Sequence, residues 1–427
     1  MAKRVLWVAG VSVLSVVTLL LANPKLGQAQ TFPTSDRPAG YVVFPKVVVD
    51  TSDLFGQGRA IDTIVQLTNL AQSVGSDDGR RAAECFYIDA TSRCSNGVQP
   101  GNGSSVCRTN IDCTATGGVC LAQWSESDFT ISLSADQPAG WRASVKTDLS
   151  TLGHCHDLLT FCKLDSDCVS PDTCVAADGD GVVPGVGPYF VGELKCVEID
   201  NDALPASTVP IVANDLKGEA TIIEVGHGAS GSVDARSYNA IGFQAVANDG
   251  DQNLCLGASP GSTNCTTAEY ASCPAILVVD HFFDGAEDPV SGDSITTDLT
   301  LVPCSENLTR GQGISSQTPT TAQILVFNEF EQRFSTATRL NCFEETQLSH
   351  IDQTAGNEDA SIFNISVEGT LTGQTRIRGV LTSDPNNGNG LLAVAEEFHG
   401  SHSAAFNVDY VGTNGAKGDV VRFSVAP

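Results

Sequence analysis

Residues 64–86 read IVQLTNLAQSVGSDDGRRAAECF, and residues 324–343 read ILVFNEFEQRFSTATRLNCF. In each stretch an apolar run ends in an asparagine (Asn69 and Asn328), a polar turn region follows, and a second run ends in Cys-Phe. Short apolar runs bounded by turn residues are typical of β-strands. The recurrence of this order predicts that the chain contains two related β-structured halves.

The spacing of apolar residues elsewhere also favours β-structure. The stretches DFTISLS (128–134), FNISVEG (363–369), AFNVDYV (405–411) and VRFSV (421–425) alternate apolar and polar residues. This alternation is typical of strands that have one buried and one solvent-facing side in antiparallel sheets. We therefore expect all four stretches to be strands.

The chain of 427 residues is longer than one ordinary domain. The expected fold class is all-β, with two tandem immunoglobulin-like antiparallel β-sandwiches and disulfide-stapled loop insertions in the first. We assign residues 38–248 to β-sandwich domain 1 and residues 274–427 to β-sandwich domain 2. Residues 249–273, which contain three cysteines, have the composition of a linker.

A family resemblance agrees with this fold class. An apolar strand, the tripeptide LTN (67–69), a polar turn and an aromatic strand are followed by FTISLSADQPAGW (129–141). This order resembles secreted immunoglobulin-like domains of uncharacterised bacterial surface proteins, over residues 41–147 and, in a looser form, over the second half. The resemblance implies a fold, and it carries over no catalytic residues.

The first 30 residues read MAKRVLWVAGVSVLSVVTLLLANPKLGQAQ. Lys3 and Arg4 form a basic start, residues 5–22 are apolar, and small residues precede a cleavage site after Ala29, which together predict a signal peptide over residues 1–29. The alternative is an uncleaved anchor, because the apolar stretch is just long enough to span a bilayer. We expect a secreted or cell-surface protein, periplasmic or extracellular, with no membrane span in the mature chain.

The chain is strongly acidic, with 50 acidic and 23 basic residues and a formal charge of −27. Removing residues 1–29 would take away three basic residues and no acidic one, which changes the formal charge to −30. Such a charge repels nucleic acid and anionic membranes. Nucleic acid is therefore not an expected partner, whereas cationic groups are attracted.

Fifteen cysteines are present, and no two of them have the C-x-x-C spacing of haem, redox or zinc-ribbon motifs. In an exported protein they are expected to form disulfides, with a metal site as the alternative. Two modules, at 94–120 and 155–174, hold four cysteines each and so allow two internal bridges each. The cysteines predicted to be in disulfides are Cys94, Cys107, Cys113, Cys120, Cys155, Cys162, Cys168, Cys174, Cys304 and Cys342. The odd total requires one free or intermolecular thiol.

The loop DGDQNL resembles part of a calcium loop. Asp249, Asp251 and Asn253 occupy positions 1, 3 and 5 of an EF-hand-like pattern. Leu254 stands where that pattern needs glycine, and Pro260 where it needs glutamate, so the loop is not an EF-hand. A turn is the simpler interpretation, and Ca2+ is the one cofactor that the sequence suggests.

The stretch EEFHGSH (396–402) offers a second set of metal ligands. Glu397, His399 and His402 supply a carboxylate and two imidazoles, the groups that bind zinc in hydrolases. The spacing is not H-E-x-x-H, and a plain strand end is the alternative. No catalytic residue is assigned, since nucleophile elbows, phosphate loops and dinucleotide motifs are missing from the sequence.

These observations favour an exported, non-catalytic cell-surface or extracellular protein with an adhesion, assembly or ligand-binding role. Its expected partner is a surface or extracellular ligand, or a second copy of the chain. The alternative is a secreted hydrolase with an inter-domain, metal-assisted site at Glu397, His399 and His402.

Overall fold

A computed structural model describes residues 32–74, 79–96, 106–107, 112–113, 118–121, 123–149, 153–155, 161–162, 168, 173–176, 181–200, 209–226, 233–251, 253–258, 265–308, 320–340, 342–354, 356–381, 389–413 and 418–423. The predicted signal peptide at 1–29 lies outside them. In the described part, none of the helices has the length and apolarity that a membrane crossing requires. The chain from Phe32 to Pro427 groups as one compact unit.

Within the described residues, the first half consists of strands joined by turns and loops. The strands are β1 (Tyr41–Asp50), β2 (Arg59–Asn69), β3 (Arg81–Asp89), β4 (Arg93–Cys94), β5 (Cys120–Leu121), β6 (Ser125–Leu133), β7 (Pro138–Arg142), β8 (Thr147–Asp148), β9 (Gly153–Cys155), β10 (Phe161–Cys162), β11 (Cys174–Ala176), β12 (Val182–Val183), β13 (Tyr189–Ile199), β14 (Leu216–Gly226), β15 (Val233–Asn239) and β16 (Ile241–Phe243). The all-β fold class is confirmed. The short strands β4 and β5, and β9 to β11, form small sheets of their own in the two cysteine modules.

Nine of these strands form one sheet in the order β15-β14-β2-β1-β13-β3-β6, with β16 added to β1 and β7 to β2. β1 and β2 pair at one position only, Asp50 opposite Ile61, so the sheet folds over into two layers at this corner. Apolar residues of both layers form one buried cluster. The layers also share a hydrogen bond, which Trp141 Nε1 donates to the Tyr87 hydroxyl over 2.7 Å.

The second half adds twelve strands within the described residues. They are β17 (Asn253–Leu256), β18 (Pro274–Phe282), β19 (Ile295–Pro303), β20 (Glu306–Leu308), β21 (Thr320–Asn328), β22 (Arg333–Leu340), β23 (Glu344–Gln347), β24 (Thr372–Leu381), β25 (Leu391–His399), β26 (His402–Asn407), β27 (Asp409–Thr413) and β28 (Asp419–Phe423). The helical elements in the described part of this half are the 3-10 turns Leu348–His350 and Glu358–Ala360 and the α-helical turn Ile365–Glu368.

A five-stranded sheet, β22-β21-β24-β18-β27, packs against a four-stranded sheet, β23-β19-β25-β26. Leu277 and Ile324 of the first meet Leu299 of the second in one buried cluster. The other face of the four-stranded sheet is also buried, because Val394 and Leu392 pack into clusters formed with the first half of the chain. The four-stranded sheet is therefore covered on both sides.

The segment at 249–273, predicted as a linker, joins this core. Its strand β17 pairs with β28 near the end of the described chain. Tyr270 is buried and stacks edge-on against Tyr41 of the first half, with 6.1 Å between ring centroids. The segment thus packs between the halves, while the proposed domain boundaries stay a prediction.

The repeated asparagines Asn69 and Asn328 have the same structural role. Each is buried at the end of a strand, and its Oδ1 accepts a backbone N–H two residues on, from Ala71 (2.9 Å) and Phe330 (3.1 Å). This is the Asx-turn geometry that asparagine favours. The strands that follow differ, since β21 and β22 form a hairpin whereas β2 and β3 are not neighbours. The repeat is therefore one of turn chemistry, not of strand pairing.

One predicted strand is wrong. The stretch 363–369 was expected to alternate as a strand, but Ile365–Glu368 form a helical turn. Asn364 caps it by accepting from the Ser366 amide over 2.9 Å, and Gly369 ends it with a φ of 67°. Local capping outweighs the period-two pattern here.

The first cysteine module is crosslinked internally. Cys94 is bonded to Cys113 and Cys107 to Cys120, over sequence separations of 19 and 13 residues. The loops they close are too short and polar to bury a core, so crosslinks stabilise them by restricting the unfolded chain. In the second module Cys168 is also disulfide-bonded. The side chains of Cys155, Cys162 and Cys174 lie outside the described residues.

Three further disulfides are present, and of their six cysteines only Cys304 was predicted to form one. The three bridges are Cys85–Cys196, Cys255–Cys265 and Cys273–Cys304. Cys85 and Cys196 are direct register partners on β3 and β13, so this bridge lies within one sheet layer. Cys342 is a buried free thiol, which corrects its assignment to a disulfide.

Two buried lysines of the first half meet carboxylates of the second. Lys46 on β1 contacts Glu396, and its Nζ lies 2.7 Å from Glu345 Oε1. Arg236 on β15 pairs with the other oxygen of Glu396. On β13, the Nζ of Lys195 lies 2.9 Å from Glu193 Oε1 and contacts Glu306 of β20.

The Lys195 cluster holds more acid than base. Burial raises the pKa of Glu193 to about 8, and one oxygen of Glu193 and one of Glu306 have no hydrogen-bond partner among the described residues. Lys195 is the nearest cation to both. Its ammonium is therefore needed to keep the two carboxylates in the interior.

We predict that Lys195→Met lowers the free energy of unfolding at pH 7.5 by about 3–5 kcal/mol, because it removes the ammonium that stabilises negative charge on the buried Glu193 and Glu306 side chains. The loss should shrink at pH 5, because Glu193, whose pKa burial raises, is protonated there and the cluster then carries less negative charge. Urea denaturation at both pH values measures this, with the exposed Lys146→Met as the control. Equal small losses in the two variants would contradict the prediction.

Candidate functional site

The outer face of the five-stranded sheet carries a groove of about 650 Å³. We call it the sheet groove, and its lining includes Asp280, Phe327, Glu331, Arg376 and Glu397. It lies where β18 and β21 end and β24 begins.

Strand alternation produces this lining. Leu277, Ile324 and Ile377 point into the core, so the residues between them on each strand face outward. The register then places Gln374 of β24 between Asp280 of β18 and Phe327 of β21. Residues nearly 100 positions apart in the chain thus share one cross-strand row.

The polar groups of this row are hydrogen-bonded to each other. Gln374 Nε2 donates to Asp280 Oδ1 over 3.0 Å, and Arg376 Nε donates to Gln374 Oε1 over 3.1 Å. The Arg376 guanidinium lies 5.1 Å from the centroid of the Phe327 ring, a cation–π distance. These contacts hold the floor of the groove in one arrangement.

Carboxylates dominate one end of the groove. Glu329 accepts hydrogen bonds from the Thr372 hydroxyl (2.8 Å) and the Thr372 amide (2.9 Å). These bonds, the hydroxyl first, lower the pKa of Glu329 and keep it ionised. Glu331 and Glu397 lie beside it in the lining. With Asp280, four carboxylates face one guanidinium, so the groove attracts cations.

His281 and Asp284, in the stretch DHFFDGAED (280–288), have structural roles. His281 is buried, and burial lowers its pKa, so the ring is neutral. Its Nδ1 donates to the Phe282 carbonyl over 2.9 Å, and its Nε2 lies 2.8 Å from the Thr375 hydroxyl. Asp284 accepts from the Thr297 amide over 2.9 Å. Neither side chain has a reactive group directed to solvent.

The proposed zinc ligands Glu397 and His399 do lie together, next to the sheet groove. His399 Nδ1 is 2.6 Å from Asp288 Oδ2, and His399 Nε2 is 2.6 Å from Glu397 Oε1. Hydrogen bonding, to Asp288 first, raises the pKa of His399, while the pKa of Asp288 is lowered to about 2, chiefly by the amide of Ser291. The ring is therefore an imidazolium that donates to both carboxylates.

His402 does not complete a metal site with them. It is exposed, and it faces His399 only as its backbone partner across the turn at Gly400. Among the described residues, the clusters of three or more metal-type ligands include none of Glu397, His399 and His402. Both nitrogens of His399 are hydrogen-bonded to carboxylates, so a metal would have to displace one of these bonds, and zinc binding at Glu397, His399 and His402 stays a prediction.

The predicted calcium loop gains a ligand that the sequence did not indicate. Carboxylate oxygens of Asp249, Asp251 and the buried Glu269 lie within 4.8 Å of one another. However, Glu269 already accepts from the amides of Asp249 (3.0 Å) and Cys255 (3.1 Å). Asp251 likewise accepts from the Asn253 amide over 2.7 Å. These bonds are those of a closed turn, and Ca2+ binding stays a prediction.

No protein family, curated protein sequence or solved structure matches this chain. The function of the candidate site is therefore inferred from its geometry alone.

We predict that His399→Ala lowers the free energy of unfolding by about 1 kcal/mol at pH 5.5. A raised pKa means that the contribution of His399 is fully present below its unfolded pKa of 6.5 and is lost as the pH rises through the folded value. The difference from wild type should therefore vanish by pH 9. Urea denaturation at both pH values tests this, with His402→Ala as the control on the same hairpin. A loss that is the same at both pH values would refute the imidazolium assignment.

Proposed function

We propose that this chain is an exported, non-catalytic protein of the cell surface or extracellular space. It binds cationic groups of another molecule in the sheet groove. The disulfides support the location, because such bridges persist in oxidising compartments. The layered strands of both halves suit the tandem immunoglobulin-like arrangement, which presents binding surfaces on a rigid scaffold.

The observation that carries this proposal is the combination of groups in the groove. Four carboxylates and the aromatic rings of Phe282 and Phe327 line the same groove. Carboxylates bind guanidinium and ammonium groups through charge-assisted hydrogen bonds, and aromatic rings bind them through their faces. Arg376 already lies over Phe327 in this way, so the groove contains one example of the guanidinium–aromatic contact that an incoming cation would make.

The geometry favours binding over catalysis. An acid–base pair needs a group that can exchange a proton with a substrate. His281 is neutral and buried, and His399 is held between Asp288 and Glu397. A secreted hydrolase acting through Glu397, His399 and His402 is the alternative, and it has less support because the nitrogens of His399 are engaged.

Hydrolase activity is tested with a panel of ester, peptide and polysaccharide substrates. Turnover that is lost in His399→Ala would support the alternative and contradict the binding proposal.

We predict that a fluorescent hexa-arginine peptide binds the protein at about 0.15 M salt and that hexa-glutamate does not. The double variant Glu329→Gln/Glu331→Gln should weaken binding about tenfold, equivalent to about 1.4 kcal/mol, because it removes two ionised partners from one end of the groove. Fluorescence anisotropy measures both constants.

The matched control is Asp249→Asn/Asp251→Asn, which makes the same change in net charge in the distant loop. It should leave binding within a factor of two. Equal weakening in the two double variants would mean that the peptide responds to the overall charge of −27 and not to the groove, and this would contradict the proposal.

A further inference from the structure

The face that holds the sheet groove also carries a basic end. Arg339 on β22 and Arg378 on β24 are exposed. The residues immediately before and after each arginine on its strand are more buried and face the core. Neither arginine forms an ion pair with the described residues. We call these two residues the arginine end, and Glu329 with Glu331 the carboxylate end. On a chain of charge −27, two unpaired guanidinium groups on one sheet face are a local reversal of charge.

The two ends lie at opposite edges of the face. Glu329 is anchored to Thr372 at the start of β24, and Arg378 lies six residues further along the same strand, about 20 Å away. Glu331 lies in the turn where β22 begins, and Arg339 lies near the end of β22. Glu329 and Glu331 therefore lie at one end of the face, where Arg333 begins β22, and Arg378 and Arg339 lie towards the far ends of β24 and β22.

Between the ends the face is partly apolar. Leu325 and Val278 flank Arg376 in one cross-strand row. Leu325 is 36% exposed, and Val411, which pairs with Ile276 in the next row, is 62% exposed. Apolar residues and arginine at the centre, with charges at the rim, are the composition of protein–protein interfaces.

We propose that the partner on this face is a second copy of the chain, related by a two-fold axis. The proposal depends on the proposed binding role of the groove and names its occupant. The axis lies in the interface, perpendicular to the strands, between the cross-strand rows of Gln374 and Arg376. Rotation about it places Glu329 of each copy opposite Arg378 of the other and Glu331 near Arg339. In an isologous contact of this kind, the carboxylate end of each copy pairs with the arginine end of the other.

The same rotation brings matching groups together at the centre. Leu325 of one copy faces Phe327 of the other, and Arg376 faces Gln374, so no arginine meets its own symmetry mate. Five strands at about 4.8 Å spacing and about 20 Å of strand length give a face of about 500 Å² on each copy. This area is at the low end for specific interfaces, so the dimer should be weak and reversible.

The test uses reversal of charge at each end of the full-length protein. One variant, Arg339→Glu/Arg378→Glu, makes the face acidic at both ends, and the other, Glu329→Lys/Glu331→Lys, makes it basic at both ends. Sedimentation velocity over a range of concentrations should show a reversible dimer for the wild type. Each variant alone should raise the dissociation constant at least tenfold, and an equimolar mixture of the two should restore the dimer.

The controls make the same charge changes away from the face, with Arg37→Glu/Lys146→Glu and Asp249→Lys/Asp251→Lys, and should dimerise like the wild type. Unchanged thermal unfolding of all variants shows that they are folded. A monomeric wild type, a dimer unaffected by either reversal, or a mixture that stays monomeric would overturn the proposal.

These failures are distinguishable from failure of the proposed function. A monomeric protein whose groove still binds hexa-arginine through Glu329 and Glu331 would refute the second copy as partner and keep the binding role. Loss of both results would refute both proposals.

Discussion

The burial of Lys46 and Lys195 constrains how the whole molecule is assembled. Both ammonium groups lie on strands of the first sheet and are nearly inaccessible to water. Removing such a charge from water is tolerable only when carboxylates reach it with good geometry. Those carboxylates, Glu396 and Glu306, come from the second half of the chain. The two halves must therefore dock in one register, and the segment at 249–273 packs between them.

This docking determines which surface remains available for binding. The four-stranded sheet uses one face to cover the first half and the other to cover the five-stranded sheet. The five-stranded sheet then has a core on its inner side only. Its outer residues, Asp280, Gln374 and Arg376 among them, meet solvent, and the alternation of each strand decides which side chains those are. The sheet groove is a consequence of the layer order.

Groups that resemble catalytic or metal-binding sets in the sequence have structural roles here. His399 connects the loop at Asp288 to the strand that carries Glu397. Glu269 accepts from the amides of Asp249 and Cys255, and it thereby connects the loop at Asp249 to strand β17. In each case a charged side chain satisfies several donors or acceptors within 3.1 Å, which stabilises a turn and leaves little capacity for a substrate. Reactivity depends on free lone pairs and protons, and spacing in the sequence does not report them.

The sequence by itself determined the all-β class and the presence of internal crosslinks in the module at 94–120, because these depend on neighbouring residues. Its alternating pattern wrongly predicted a strand at 363–369, where capping by Asn364 stabilises the helical turn Ile365–Glu368. Only the tertiary structure decided that Cys342 is free and that Cys273 pairs with Cys304, since pairing depends on distances across the core. The sheet groove also depends on the tertiary structure, because β18, β21 and β24 bring Asp280, Phe327 and Gln374 together from separate parts of the chain.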